Sequence, residues 1–170
     1  MAPLATTRAA AGTLIVLSLA ACGSGTGGSS GAASDAAAAH WRAGLRHWGA
    51  AMNGAVTGIN IAFSRPADAR AIQAGAKAIM VRMATYEHTL SGCKARLASL
   101  GPAPPVLELP RREALHACVN LQRAATLVRL GISAIQRGMG PELLNETSDP
   151  LSNGQGGIRR ALLDAVPGSP

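Results

Sequence analysis

Residues 72–100, IQAGAKAIMVRMATYEHTLSGCKARLASL, decide the fold class. Ile72, Ala76, Ile79, Met83, Tyr86, Leu90, Cys93, Leu97 and Leu100 recur at alternating spacings of four and three, while Lys77, Arg82, Glu87, Lys94 and Arg96 fall off that seam. Such a repeat places every apolar member on one stripe of an α-helix and every charge on the other faces. The chain is otherwise rich in Ala, Leu and Arg, poor in aromatics, and lacks the β-branched runs that strands prefer, so an all-α protein is expected.

Reading outward from this stretch, Ser64-Arg65-Pro66 ends one helix and begins the next. Proline is tolerated in a first turn, and Asp68 there complements the helix dipole, which predicts a helix over 66–100. Upstream, Ser34 and Asp35 are suited to an N-cap. From there Trp41, Leu45, Trp48, Met52, Ala55, Ile59 and Ala62 keep the same spacing and predict a helix over 35–63. Gly44, Gly49, Gly54 and Gly58 each cost that helix up to about 1 kcal/mol relative to alanine, so close helix packing is the expected reason for them.

Downstream, Gly101-Pro102-Ala103-Pro104-Pro105 cannot continue a helix and reads as a stiff hairpin loop. A third stripe follows over 110–139, opening at Pro110, running through Ala114, Cys118, Leu121, Ala125, Val128, Ile132, Ile135 and Met139, and stopping at Gly138, Gly140 and Pro141. The remainder reads as a turn at Pro141–Glu146, a loop containing Pro150, Ser152, Asn153 and Gly154, and a short amphipathic helix over 157–166 that carries Ile158, Leu162, Leu163 and Val166. The expected architecture is an antiparallel three-helix bundle capped by that short helix. With about 35 of the 170 residues outside it, the chain has room for one domain.

Those leading residues have their own pattern. Arg8 precedes an apolar run through Leu14, Ile15, Val16, Leu17 and Leu19, which is shorter than the roughly twenty residues a spanning helix needs. Leu19-Ala20-Ala21-Cys22, followed by Gly23 and Ser24, resembles the lipobox of bacterial lipoprotein precursors. The resemblance covers residues 1 to about 34. It implies a signal peptide over 1–21, lipid on Cys22, and a position anchored to the cell membrane on its extracytoplasmic side; it implies no activity. Residues 22–34 then read as a lipidated cysteine and a Gly/Ser tether, expected to be disordered and to hold the domain on the order of 20 Å from its anchor.

Of the three cysteines, Cys93 and Cys118 remain after Cys22 is assigned to lipid. Each lies on the core stripe of its helix about seven residues from the intervening loop, roughly 10 Å along each helix axis. They should face each other across the hairpin, and an exported location permits their oxidation. Closing this loop of about 26 residues would stabilise the fold by roughly 3–4 kcal/mol. The rival states are two buried thiols or a redox-active pair; the second would call for a Cys-x-x-Cys spacing or a cationic helix start.

Fourteen of the sixteen basic residues are arginine, a bias that a GC-rich genome explains. Without residues 1–21 only Arg8 is lost among charged groups, so fifteen basic and nine acidic side chains leave a net charge of +6. Outside the cytoplasm such a charge suits anionic headgroups or acidic polymers. With only Trp41, Trp48, Phe63 and Tyr86 to offer as stacking platforms, no nucleic-acid partner is expected. Arg111, Arg112, Arg123, Arg129, Arg159 and Arg160 form a candidate basic patch; their bland reading is as ordinary solvated helix faces.

No catalytic constellation stands out. His40 and His47 repeat at seven residues, about 10 Å apart, too far to share one metal at zinc–nitrogen distances of about 2.0 Å. Glu113-x-x-His116 has the spacing of di-iron carboxylate bundles, but those sites need a second such pair and two further glutamates. Glu87 and His88 are adjacent and point about 100° apart on a helix. Asn145-Glu146-Thr147 matches a glycosylation sequon that means little in a bacterial product. No cofactor and no metal site are expected. The functional expectation is a non-enzymatic lipoprotein that docks an envelope protein or anionic polymer. The alternative is a carrier of a small apolar ligand, in a cavity left by Ala55, Ala62, Ala76, Ala114 and Ala125.

Overall fold

A computed structural model of the chain describes residues 29–139 and 142–168. About 85% of the described residues are helical and none lies in a strand. The elements are α1 (Ser29–Ser64), α2 (Pro66–Gln73), α3 (Lys77–Ser91), α4 (Cys93–Ala98), a 3-10 turn (Pro105–Leu107), α5 (Glu108–Gln136), α6 (Glu142–Asn145) and α7 (Ser148–Asp164). No helix among the described residues is long and apolar enough to cross a membrane.

The apolar stripes become the core. All seven seam residues of α1 are buried, as are Ile72, Ile79, Met83, Leu90, Cys93 and Leu97 on α2 to α4, and Ala114, Cys118, Leu121, Ala125 and Val128 on α5. Every buried core residue lies between Ala38 and Ala165, so the domain packs entirely on itself. Three of the five glycines in α1 sit where a neighbouring side chain closes in: Gly44 under Leu100, Gly49 under Leu162 and Ile158, and Gly58 under the Tyr86 ring. Gly31 and Gly54 are exposed, with no described atom near the missing Cβ.

Residue pairing sets the direction of each helix. Trp41 meets Gly101 and Trp48 meets Cys93, so α4 descends as α1 ascends. Cys93 bonds to Cys118 and the Gln122 side chain reaches Ser91, so α5 runs antiparallel to α3 and α4. Gly154 lies on Leu121, Gly157 on Ala117 and Arg160 on Glu113, so α7 runs antiparallel to α5; Arg42 then reaches Ala165, returning α7 to α1. The result is a ring of four walls, with α1 and α5 diagonally opposite and α3–α4 and α7 between them.

This ring corrects three expectations. First, the C-terminal helix is a full wall and not a cap over 157–166. It starts at Ser148 with Pro150 in its first turn, where no intrahelical N–H is required, and its interface with α5 is the most extensive in the fold. Leu163 and Val166 are exposed. Second, the helix expected over 66–100 is broken. Gly75 adopts φ 68°, with its N–H on the carbonyl of Ile72 and that of Ala76 on Ala71, a Schellman stop that a Cβ would strain. A smaller interruption falls at Gly92 between α3 and α4. Third, α1 begins at Ser29, so residues 29–34 are helical and not part of a tether. Gly31–Ala37 are exposed and overhang the bundle, and Ser34 and Asp35 lie inside the helix instead of capping it.

The third stripe also ends early. A second Schellman stop at Gly138, φ 77°, closes α5 at Gln136, leaving Ile132 and Ile135 half-buried and Met139 exposed. The Cys22 lipid site, the signal segment over 1–21 and the stop residues Gly140 and Pro141 lie outside the described residues, as does the side chain of Asp68.

Two glycine substitutions should therefore move stability in opposite directions. A Cβ at Gly157 would stand 2.9 Å from Ala117 Cβ and 3.2 Å from its Cα, backbone-anchored atoms that cannot swing aside. Gly157→Val should lower the unfolding free energy by about 3 kcal/mol, the upper part of the overpacking range. Gly54→Ala should raise it by up to about 1 kcal/mol. Urea denaturation followed by circular dichroism reads both.

Candidate functional site

The clearest concavity lies where α4 turns into α5. Gly101, at φ 76°, reverses the chain, and in the proline-rich segment behind it Ala103 rests against the core while Pro102 and Pro105 are exposed. This leaves an open cleft of about 550 Å³ between Trp41 of α1, Leu97 and Ala98 of α4, the 101–103 turn and Leu115 of α5. Its floor is apolar. The Trp41 ring is buried and donates its Nε1–H to the carbonyl of Gly101 at 3.4 Å, which fixes the turn against α1. Lys94, Glu108 and Arg111 stand on the rim, where Arg111 Nη1 donates to Glu108 Oε1 at 2.9 Å one turn back along α5. Apolar floor and mostly cationic rim together suit an amphiphile with an anionic head.

The disulfide lies one layer beneath. Cys93 and Cys118 are joined, with Cα atoms 5.4 Å apart, and both are fully buried. The bridge expected from their placement on facing stripes is present. Trp48 packs beside it and donates Nε1–H to the carbonyl of Cys93 at 3.3 Å.

Two smaller concavities flank α3 and α7. Between α1 and α3, a niche of about 180 Å³ opens where Tyr86 lies over Gly58, with Arg65 and Arg82 at its edge. Between α5 and α7, Asn120, Arg123, Glu146, Asp149 and Asn153 line a polar cleft of about 450 Å³. Of the five seam alanines expected to leave a ligand cavity, only Ala62 borders one of these spaces. Ala55, Ala114 and Ala125 are sealed in the core, and Ala76 is half-buried beside the α2–α3 break.

The six candidate arginines do not converge. At 100° per residue, Arg111 and Arg129 share one azimuth of α5 but stand about 27 Å apart, and Arg112 and Arg123 lie roughly a third of a turn away. Arg129 lines a groove with Met80 and Glu87 of α3, whereas Arg123 faces the polar cleft toward α7. Arg160 spends its Nε–H on Glu113 Oε2 at 2.9 Å, and Arg111 is paired with Glu108. Arg112 and Arg159 are exposed and hold no carboxylate among the described residues.

The remaining motifs find structural employment or solvent. Glu113, the first member of the Glu-x-x-His spacing, is the carboxylate that ties α7 to α5, while His116 is exposed. His40, His47 and His88 are exposed and Glu87 is half-buried. Among the described residues no three His, Cys, Asp or Glu side chains gather as a metal-binding group. Asn145 ends α6 on the surface.

The cleft was not visible in sequence because four segments contribute to it, and its only local sign is the Gly-Pro-Ala-Pro-Pro run. No protein family, curated protein or solved structure matches this chain.

The bridge should contribute measurably. With 25 residues of separation between its ends, the Cys93→Ala/Cys118→Ala pair should lose about 3–4 kcal/mol of unfolding free energy in denaturant titration. In protein with Cys22 replaced, Ellman titration of the denatured, unreduced chain should find no free thiol; two would refute the bridge.

Proposed function

We propose that this chain is an extracytoplasmic lipoprotein, held at the cell membrane by lipid on Cys22, whose helical domain is a non-enzymatic docking module for an envelope protein or an anionic polymer. The observation that carries the reading is the lipobox-like Leu19-Ala20-Ala21-Cys22 at the end of an apolar run that is too short to span. The Cys93–Cys118 bridge supports it independently, since such bonds persist in oxidising compartments and are rare in the cytosol.

A docking role draws on the rigidity of the domain: a cross-linked ring of helices presents its outer residues in one geometry, which reduces the ordering cost of association. The net positive charge supports an anionic partner. The carrier alternative has two observations in its favour, the cleft of about 550 Å³ beside Trp41 and the niche of about 180 Å³ beside Tyr86 and Ala62. The niche lies below the ≈ 300–1,000 Å³ typical of ligand pockets, and the cleft, though of that size, is open to solvent.

The anchor is tested by expressing the chain and its Cys22→Ser variant in a bacterium and separating detergent and aqueous phases. The parent protein should enter the detergent phase with a diacylglyceryl mass on its N-terminal cysteine, and the variant should not. Identical partitioning of the two, or an unmodified Cys22, would sink the lipid anchor. Native mass spectrometry of the domain together with in-cell crosslinking separates the two roles: a specific crosslinked partner supports docking, and a co-purifying apolar ligand supports the carrier.

A further inference from the structure

The register of the four walls brings several chain segments to one end of the bundle. The start of packing on α1 (Ala38 and Trp41) is level with the 101–107 turn, the first residues of α5 and the last of α7, as the Trp41–Gly101 and Arg42–Ala165 hydrogen bonds show. Among the described residues this end carries three large apolar side chains that are at least half exposed: Val106 at 70%, Leu109 at 51% and Val166 at 54%. Behind this tip stand cations from three different walls, Arg96 on α4, Arg112 on α5 and Arg159 on α7, each within about 10 Å of the end at 1.5 Å per residue, with Asp164 at the end of α7 as an exposed carboxylate among them. All three are exposed and none has a carboxylate partner among the described residues. An apolar tip backed by a belt of long cationic side chains is the order of chemistries met on entering an anionic bilayer from water, since such side chains lay apolar stems along the interface and keep their charge at the phosphates.

Chain length points the same way. Cys22 and the first residue of α1 are seven residues apart, a span of at most about 25 Å. The nine residues of α1 ahead of Ala38, Asp35 among them, project about 13 Å past this end, so a surface to which Cys22 is fixed meets the side of the end away from α1, at the 101–109 segment and the C-terminus of α7, with the bundle axis tilted from the surface normal. The opposite end, level with Ala62, lies a further 36 Å or so along α1.

We infer that the end of the bundle formed by the 101–109 segment and the C-terminus of α7 is a bilayer-docking surface for anionic phospholipid, with Val106, Leu109 and Val166 entering the interface and Arg96, Arg112 and Arg159 meeting the headgroup phosphates. The inference rests on the lipid-anchor reading for its orientation, and it adds a second attachment that the protein surface makes itself. Contact through both would hold the domain in one orientation, with the α2–α3 and α5–α6 ends turned away from the membrane toward a partner.

The test uses a soluble chain of residues 23–170, which retains the whole core. Vesicles of phosphatidylcholine alone are compared with vesicles holding roughly one third phosphatidylglycerol, in about 0.1 M salt. The chain should float with the anionic vesicles only. Replacing Arg96, Arg112 and Arg159 together by Gln should weaken binding about 100-fold, near fivefold per charge, while Arg65→Gln and Arg137→Gln at the far end should not. With the native disulfide intact, an environment-sensitive probe on Val106→Cys should be quenched by brominated lipid, and one on Leu130→Cys should stay in water. Binding indifferent to phosphatidylglycerol, binding indifferent to the three replacements, or quenching at position 130 and not at 106 would each overturn the inference. If Cys22 proves to carry lipid but the soluble chain does not bind, the docking surface fails and the anchor stands. If the chain binds through this end although Cys22 is unmodified, the anchor fails and the surface stands.

Discussion

The separation of α5 and α7 is set by atoms that cannot yield. Gly157 rests against the backbone and Cβ of Ala117, and one turn earlier Gly154 takes the Leu121 side chain into the space where its own would be. Close approach at these two points seals Ala117, Leu121 and Ala124, which would otherwise form an exposed strip along α5. It also swings α7 far enough round for Ile158 and Leu162 to reach Gly49 of α1, closing the ring from its other side. Leu107, Leu151 and Ile158 are buried as a consequence. Without this contact α5 would be packed on one side only, against α3 and α4.

The same contact explains which parts of the fold the sequence showed and which it hid. Where burial follows a 3.6-residue repeat of large apolar side chains, reading it was sufficient: every seam residue of α1 is in the core, and the two seam cysteines of α4 and α5 meet. Residues 150–154 read as a loop and the last helix as starting only at 157, because Pro150, Gly154 and Gly156 are punctuation in a local reading. In the fold, proline occupies a first turn and the glycines are contact residues whose value lies in the atoms they lack. A hydrophobic repeat cannot register a contact made by an absent side chain. The break at Gly75 was missed for the converse reason: Ile72 and Ile79 keep their phase on either side of it, so the stripe continues through a chain that does not.

Electrostatics was legible as a total and not as a pattern. Net charge follows from counting, but whether an arginine belongs to a patch depends on which wall it faces and which carboxylate reaches it first. Arg160 is claimed by Glu113 across an interface whose existence rested on the glycines, so its pairing was hidden with them. Arg111 is claimed within its own helix at a spacing of three, which was readable. The cationic belt now apparent draws one residue from each of three walls, and no stretch of sequence contains it.

The ties between walls are unevenly distributed along the bundle, and they concentrate at the end where α1 begins. In that half, α1 is bonded to the 101–103 turn through Trp41, to α7 through Arg42 and to α4 through Trp48, and α4 is joined covalently to α5. Each wall is therefore fixed to a neighbour by a directional or covalent bond. In the other half the interlocks are apolar, Tyr86 over Gly58 and Leu144 over Gly131, and both Schellman stops fall there, at Gly75 and Gly138. Local opening starts where cross-links and buried contacts are fewest. A force or thermal fluctuation entering through the start of α1 would meet the bonded half first and find it closed, while the α2–α3 and α5–α6 connections at the far end keep more freedom to rearrange.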